Sequence, residues 1–332
     1  MKIIFSESSN LNNSVYGNCQ APIKMFLEKR GEEFEQNSVL KNLFLMGSSK
    51  NYGDVMTTLT AMSGFEPVGE NGAYPLDGMQ EGYQKLLKYQ TWKDSFSVSK
   101  EMIEDGKLLD MRKQPAAFMT SYNRTRELFG AALYGAAMMG NGSVTFKGVK
   151  FDLTGADGSN LFAKEHVPKV SGDKQCNLFK DAFSVDTLGK LETKMHLFRG
   201  DNDEILDVAP DTILIPENAD LKKAVFAAIG ADKDPVSANN AFNYQYGRWN
   251  VIVWPYLNHY VTNGVSPWVL LDSKYNETYG GAVWNDRVQL EVRSTIDENT
   301  DANVWRGRSR FNACFNDWRF AAIGGIAAGN SL

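Results

Sequence analysis

Apolar residues recur at helical spacing in two stretches of the chain. From Pro22 onward, Ile23, Phe26, Leu27, Phe34, Leu40, Leu43 and Phe44 line one side of a polar face that carries Glu28, Glu32, Glu33 and Glu35. One or two amphipathic helices are expected there, with a break near Gly31. The stronger signal runs from about Pro115 to Met139, where Phe118, Tyr122, Phe129, Leu133, Ala136 and Ala137 follow at steps of three, four and seven. Pro115 is placed in the first turn of this helix, and Gly140-Asn141-Gly142 ends it. Its last turns, from Ala131 to Met139, are small and apolar nearly all round, which predicts a tightly packed end.

Strand patterns lie on either side. Residues 96–102 alternate, with Phe96, Val98 and Met102 on one face and Ser97, Ser99 and Glu101 on the other. Before them Gly64, Pro67, Gly69, Gly72, Pro75, Gly78 and Gly82 punctuate a long loop. The two together predict a two-stranded excursion with no core of its own, and a loop of that length commonly serves a function or a partner. The Ser- and Asn-rich residues 1–20 read as an arm. Further on, Asp211–Pro216 is a buried strand, and Ala219–Ile229 is a helix closed by Gly230. Trp249–Trp254, Pro267–Asp272 and the alternating Val288, Leu290 and Val292 add strands. Helices and strands mix without a regular βαβ alternation, so the fold class is α+β.

Composition narrows the function more than the fold. The 332 residues are 43% hydrophobic and 23% charged, as expected of one large globular domain or two closely connected ones. A net charge of -5 supplies no general attraction for nucleic acid or an anionic membrane. Cys19, Cys176 and Cys314 are isolated, too few for a disulfide framework or a zinc site of paired thiols, and fit a reducing compartment. Lys2 is followed only by Ile3-Ile4-Phe5 before polar residues, short of a secretory signal, and no apolar run approaches the about 18 residues of a membrane span.

The search for chemistry returns little. Gly140–Lys147 lacks the spacing of a phosphate-binding loop. His166, His196 and His259 are far apart and read as structural or surface residues, so neither a metal site nor a cofactor site is expected. The acidic run Asp201-Asn202-Asp203-Glu204 lacks the glycine and later glutamate of a calcium loop and reads as a solvated turn. There is no Gly-x-Ser-x-Gly elbow, and no catalytic residue is nominated. Arg306, Arg308 and Arg310 alternate along one face of a strand, where salt bridges within or between subunits are favoured over nucleic-acid binding because Glu291, Asp297, Glu298, Asp301 and Asp317 are near in sequence.

The order of segments resembles a tailed-bacteriophage major capsid protein: polar arm, long excursion, spine-like helix, mixed domain, apolar C-terminal strand. The likeness is most specific at residues 157–162 with His166, Asn177 and Leu178, at Pro210–Pro216, at Trp268–Asp272 and at Asp317-Trp318-Arg319. The resemblance implies the Hong Kong 97-type fold, with residues 1–63 as N-arm and leading helices, 64–105 as the extended loop, 106–185 with 313–332 as the peripheral domain, and 186–312 as the axial domain. It implies a non-enzymatic shell subunit that forms hexamers and pentamers around double-stranded DNA in the virion. Assembly would take place in the host cytoplasm with a separate scaffolding protein, a portal and decoration proteins as partners. Trp92 and Phe96, with Arg306, Arg308 and Arg310, are the residues expected at subunit contacts. Lys85, Lys88 and Lys93 sit where some relatives place a crosslinking lysine, but solvation is their expected role and no crosslink is expected. An encapsulin-like compartment around a cargo enzyme is the alternative on the same fold.

Overall fold

The computed structural model describes residues 3–8, 11–59, 65, 67–76, 81–105, 108–230, 243–262, 264–326 and 331–332. Gly64, Gly78 and the end of the apolar run after Ile326 lie outside the described residues. Strand β1 (Ile4–Glu7) opens the chain, followed by helices α1 (Gly17–Asn37) and α2 (Leu40–Leu43) and strand β2 (Leu45–Ser48). Strands β3 (Gly53–Leu59), β4 (Glu81–Lys88) and β5 (Gln90–Val98) come next, then α3 (Lys100–Glu104), α4 (Leu108–Met138) and the hairpin β6 (Ser143–Phe146) with β7 (Val149–Asp152). The rest comprises α5 (Val185–His196), β8 (Thr212–Pro216), α6 (Ala219–Ile229), β9 (Asn250–Trp254), β10 (Trp268–Leu271), α7 (Ser273–Tyr279), β11 (Ala282–Ile296), β12 (Asn303–Phe315) and β13 (Ala321–Gly324). The α+β reading holds.

Helix α4, about 46 Å long at its 31 residues, organises the first layer. Its exposed-to-buried stripe places Phe118, Met119, Phe129 and Leu133 inside, and the small residues from Ala131 to Met138 are buried as expected. Pro115 lies two turns inside the helix rather than in its first turn. Helix α1 packs along α4, burying Ile23 and Leu27 against Phe118 and Met119. It begins five residues before Pro22 and runs unbroken through a buried Gly31, because this packing outweighs the about 1 kcal/mol that an interior glycine costs. The expected alternation to Met102 stops at Val98: Ser99 Oγ accepts from the Met102 N–H at 3.3 Å and caps α3 instead.

Two sheets share one large core with α4. In the first, β1, β11, β12 and β5 lie in that order, with β2 also paired to β11. In the second the order is β13-β10-β8-β9. All five residues of β8 are buried, which is why its sequence is a continuous apolar run rather than an alternation. The expected division between residues 312 and 313 falls inside β12. Strand β12 pairs with β11 on one side and with β5 on the other, and Gly307 lies so close to Phe118 of α4 that a Cβ there would stand 2.3 Å from the ring. Residues 282–315 therefore layer with α4, while 212–271 and 321–324 build the second sheet.

The arm is only partly free. Ile3 is buried and β1 runs parallel to β11, while Leu11 and Tyr16 are buried further along.

Candidate functional site

The segments on which the resemblance was quoted meet in space, in a buried polar junction between the two sheets. His166 is 1% exposed and stacks on Trp318 with ring centroids 4.1 Å apart. Its Nδ1 lies 2.7 Å from Asp157 Oδ2 and its Nε2 lies 3.1 Å from Asn177 Oδ1. Asn177 accepts from the Ala163 N–H and donates through Nδ2 to the carbonyls of Leu161 and Ala321, tying β13 to the loop that carries His166. Arg319 reaches Asp201 at 2.8 Å and Asp317 at 3.3 Å and donates through Nε to the Arg199 carbonyl. Burial alone would lower the Arg319 pKa, but the carboxylates of Asp317 and Asp201 outweigh it and raise it above the ordinary arginine value. Tyr275 donates to Asp317 Oδ2 at 2.8 Å, and burial followed by that carboxylate pushes its phenol well up. Asp272 caps α7 through the Tyr275 N–H and holds the Ala209 N–H, with burial raising its pKa.

This junction ties distant segments of the chain together. The buried guanidinium of Arg319 is paired with Asp201 and Asp317, while buried Asp272 is held by backbone N–H groups alone. None of its residues lines the two principal clefts. The structural reading of His166 fits this geometry, whereas Asp201, expected in a solvated turn, is 4% exposed and paired with Arg319 across 118 positions of sequence. The larger cleft, about 1050 Å³, is bordered by Lys41, Arg126, Asp211, Arg248 and Asp286. Most of these groups are engaged within the chain: Arg126 grips Asp286 at 2.8 and 3.1 Å, Arg248 pairs with Glu192, Asp211 binds Ser273, and Lys41 lies 3.9 Å from Glu35. Among the described residues no His, Cys, Asp and Glu cluster is arranged to hold a metal ion, and no helix is long and apolar enough to cross a membrane.

The excursion shows the opposite character. Strands β3 and β4 pair antiparallel, and the ladder is anchored along its length to β7 and the loop after it: Lys85, at mid-ladder, pairs with Asp152 at 3.1 Å and donates to the Thr154 carbonyl, and Lys169 donates at 2.6 Å to the carbonyl of Gly82, at the ladder's far end. Lys85, expected in solvent, is only 10% exposed, because its ammonium is enclosed by this pair. Lys88 and Lys93 are exposed. Asp54 braces the inner end by accepting from Ser49, Asn51, Tyr89 and Asn285. Burial pushes its carboxyl up, but these hydrogen bonds outweigh that and hold it below the ordinary value. Toward the tip, Phe65, Tyr74 and Leu76 stand at or near full exposure, and Val55 and Leu86 are exposed opposite one another on the hairpin.

Trp92 and Phe96, expected at subunit contacts, turn their rings inside the chain. Trp92 stacks on Phe311 and Phe151 and meets Phe129, and Phe96 stacks on Trp305 against Phe118. Arg306 and Arg308 are exposed on the other face of β12, Arg308 facing Glu291 at 3.2 Å. The alternation of β12 separates these two sets: odd positions meet α4 and even positions meet solvent.

A family profile described as phage capsid protein matches residues 83–324, nearly three quarters of the chain. The chain belongs to the phage capsid protein family. It is a structural capsid subunit of the virion, and the matched span runs from the rising strand of the excursion to the end of β13, enclosing the whole polar junction. No curated protein matches the chain in sequence. Similar solved structures include the head of Helicobacter pylori bacteriophage KHP40, at 8% identity and a TM-score of 0.49 over 85% of this chain and 87% of that one. The procapsid of bacteriophage JBD30 aligns at 14% identity and a TM-score of 0.47 over 91% and 73%. A virus-like particle from Pyrococcus furiosus aligns at 9% identity and a TM-score of 0.46 over 91% and 97%.

Proposed function

We propose that this capsid protein is the repeating subunit of a Hong Kong 97-type head shell, forming hexamers and pentamers around double-stranded DNA and performing no catalysis. The observation that carries the proposal is the contrast within one chain between a core that closes on itself and a hairpin whose tip holds Phe65, Tyr74 and Leu76 in solvent. Large apolar side chains held in solvent are candidates for burial against a partner, and the outer face of the hairpin, with Val55 and Leu86, has no layer over it within the chain. Lying across a neighbouring subunit supplies that layer. The axial domain is then best drawn as residues 186–281, with 282–315 joining the peripheral domain, because β11 and β12 layer with α4. Arg306, Arg308 and Arg310 are the subunit-contact candidates that remain open, since Trp92 and Phe96 are packed internally.

A scaffolding protein and a portal are the expected assembly partners, with decoration proteins on the outside, and assembly takes place in the host cytoplasm. Expression of the chain alone and with a scaffolding partner, followed by light scattering and negative-stain imaging, tests the proposal. Capsomer rings of five and six or closed shells support it; a monomer under both conditions overturns it. Nucleic acid inside particles made in infected cells separates a viral shell from a compartment that holds a cargo enzyme.

A further inference from the structure

The open face of the first sheet carries a charge pattern that it does not neutralise. Residues directly opposed in an antiparallel ladder share a face, and Arg308 stands opposite Lys93 of β5 while Arg306 stands opposite Arg293 of β11. Like charges in direct register destabilise a sheet, so this arrangement is a cost to the isolated chain. Arg310 lies on the same face, in a row of three arginines about 14 Å long, and its Nε is buried with no hydrogen-bond partner. Glu291 offsets one charge through Arg308, and Arg306 spends one donor on Thr295 at 2.8 Å. Among these six charged residues four positive charges remain in excess.

One end of the same sheet has the opposite sign. The turn from β11 to β12 carries Asp297, Glu298 and Asp301, and α3 and its C-cap, which follow β5, carry Glu101, Glu104 and Asp105. Strands β11, β12 and β5 end side by side, with Asn303 opposite both Ile296 and Val98, which brings the two segments together. Tyr16 sits at this junction: its hydroxyl donates to the Asp301 carbonyl, and burial together with Asp301, Glu101 and Glu104 pushes its phenol up.

We propose that the acidic sheet end of one copy docks on the basic sheet face of the next, a head-to-tail contact that places carboxylates against the opposed like charges of Arg306, Arg308, Arg293 and Lys93. It rests on the shell reading and names a contact that such a shell would use. Head-to-tail contacts of this kind close into rings when the rotation between copies permits it. Phosphate groups of a nucleic acid could meet the same arginines, but the chain supplies its own acidic counterpart and its net charge of -5 opposes long-range attraction of a polyanion.

The test uses two charge-reversed full-length chains, R306E/R308E on the face and E104K/E298K on the end, each first shown to unfold thermally within a few degrees of the parent. Sedimentation velocity is run across protein concentration at low and high salt, with negative-stain imaging. The parent is expected to self-associate, more weakly at high salt, and each reversed chain to associate about 100-fold more weakly, since like charges then face each other across the contact. Mixing the two reversed chains is expected to restore association to within about tenfold of the parent, because each end again meets an opposite face. A parent that remains monomeric alone overturns this contact, and one that stays monomeric with a scaffolding partner as well overturns the shell reading too. Shells that form equally well from either reversed chain, or a mixture no better than its components, overturn this contact alone. Face-reversed chains that assemble normally but lose retention of a short DNA duplex assign the arginines to nucleic acid and overturn it as well.

Discussion

The sheet β13-β10-β8-β9 and the β3–β4 hairpin are both built from a few short strands, yet they stand at opposite extremes of self-sufficiency. Strand β8 is buried on both faces, α5 and α6 add Leu188, Leu191, Leu221 and Val225 to the same core, and β13 returns from the far end of the chain to pair with β10 at one edge. The hairpin is held along its ladder by Asp54, Lys85 and Lys169, and beyond it Phe65, Tyr74 and Leu76 are offered to water. The sheet draws its described packing from its own chain, and the hairpin buries Leu87 while leaving Val55, Leu86, Phe65, Tyr74 and Leu76 in solvent. In a protein whose work is to repeat itself, that division lets a stable subunit exist before assembly while leaving assembly something to bury.

The largest effect should come from breaking the junction that locks the closed region. Arg319→Ala leaves Asp201 and Asp317 buried without their cation and is expected to cost about 3–5 kcal/mol in denaturant unfolding of the unassembled subunit. Leu214→Ala in β8 opens a cavity between two sheet neighbours and is expected to cost about 2–5 kcal/mol by the same measurement. Asn218→Ala removes the side chain that accepts from the Asp220 and Leu221 N–H groups at the start of α6, for about 1 kcal/mol.

At the hairpin the effects on the subunit shrink. Because the Asp54 pKa is lowered in the folded chain, its contribution is complete above the ordinary carboxylate range and is lost as pH falls through the lowered value. Thermal unfolding of Asp54→Asn against the parent should show a gap at neutral pH that narrows toward low pH. A constant gap would show that the carboxylate's charge is irrelevant to the brace. Smallest of all, Phe65→Ser with Tyr74→Ser and Leu76→Ser is expected to change subunit stability by no more than about 0.5 kcal/mol, as for any exposed position, while reducing particle yield.

The same contrast governs what the sequence reveals. Helix α6 with its closing Gly230, strand β8 and the body of α4 were legible because periodicity and local capping specify them, and their neighbours only reinforce the choice. The unbroken passage of α1 through Gly31 was not legible, since the packing that outvotes the glycine comes from α4, far along the chain. Ser99 did announce a helix cap, but the alternation around it was read as strand. Lys85 and Asp201 carry ordinary surface residue types, and only the fold brings Asp152 and Arg319 to them. The polar junction was visible as scattered familiar segments without any sign that His166, Asn177 and Trp318 touch, because hydrogen bonds spanning more than a hundred residues leave no local pattern. Trp92 and Phe96 illustrate the same point: their half-buried packing against Phe129 and Phe118 comes from α4, which no local pattern around them announces.

The central claim, that the hairpin tip is completed by a second subunit, is tested most directly by hydroxyl-radical footprinting of Phe65, Tyr74 and Leu76 in the free subunit and in assembled particles. The account predicts rapid labelling of all three in the free subunit and strong protection in the particle, with Trp254 and Trp268 protected in both. Equal labelling of the three side chains before and after assembly would contradict it.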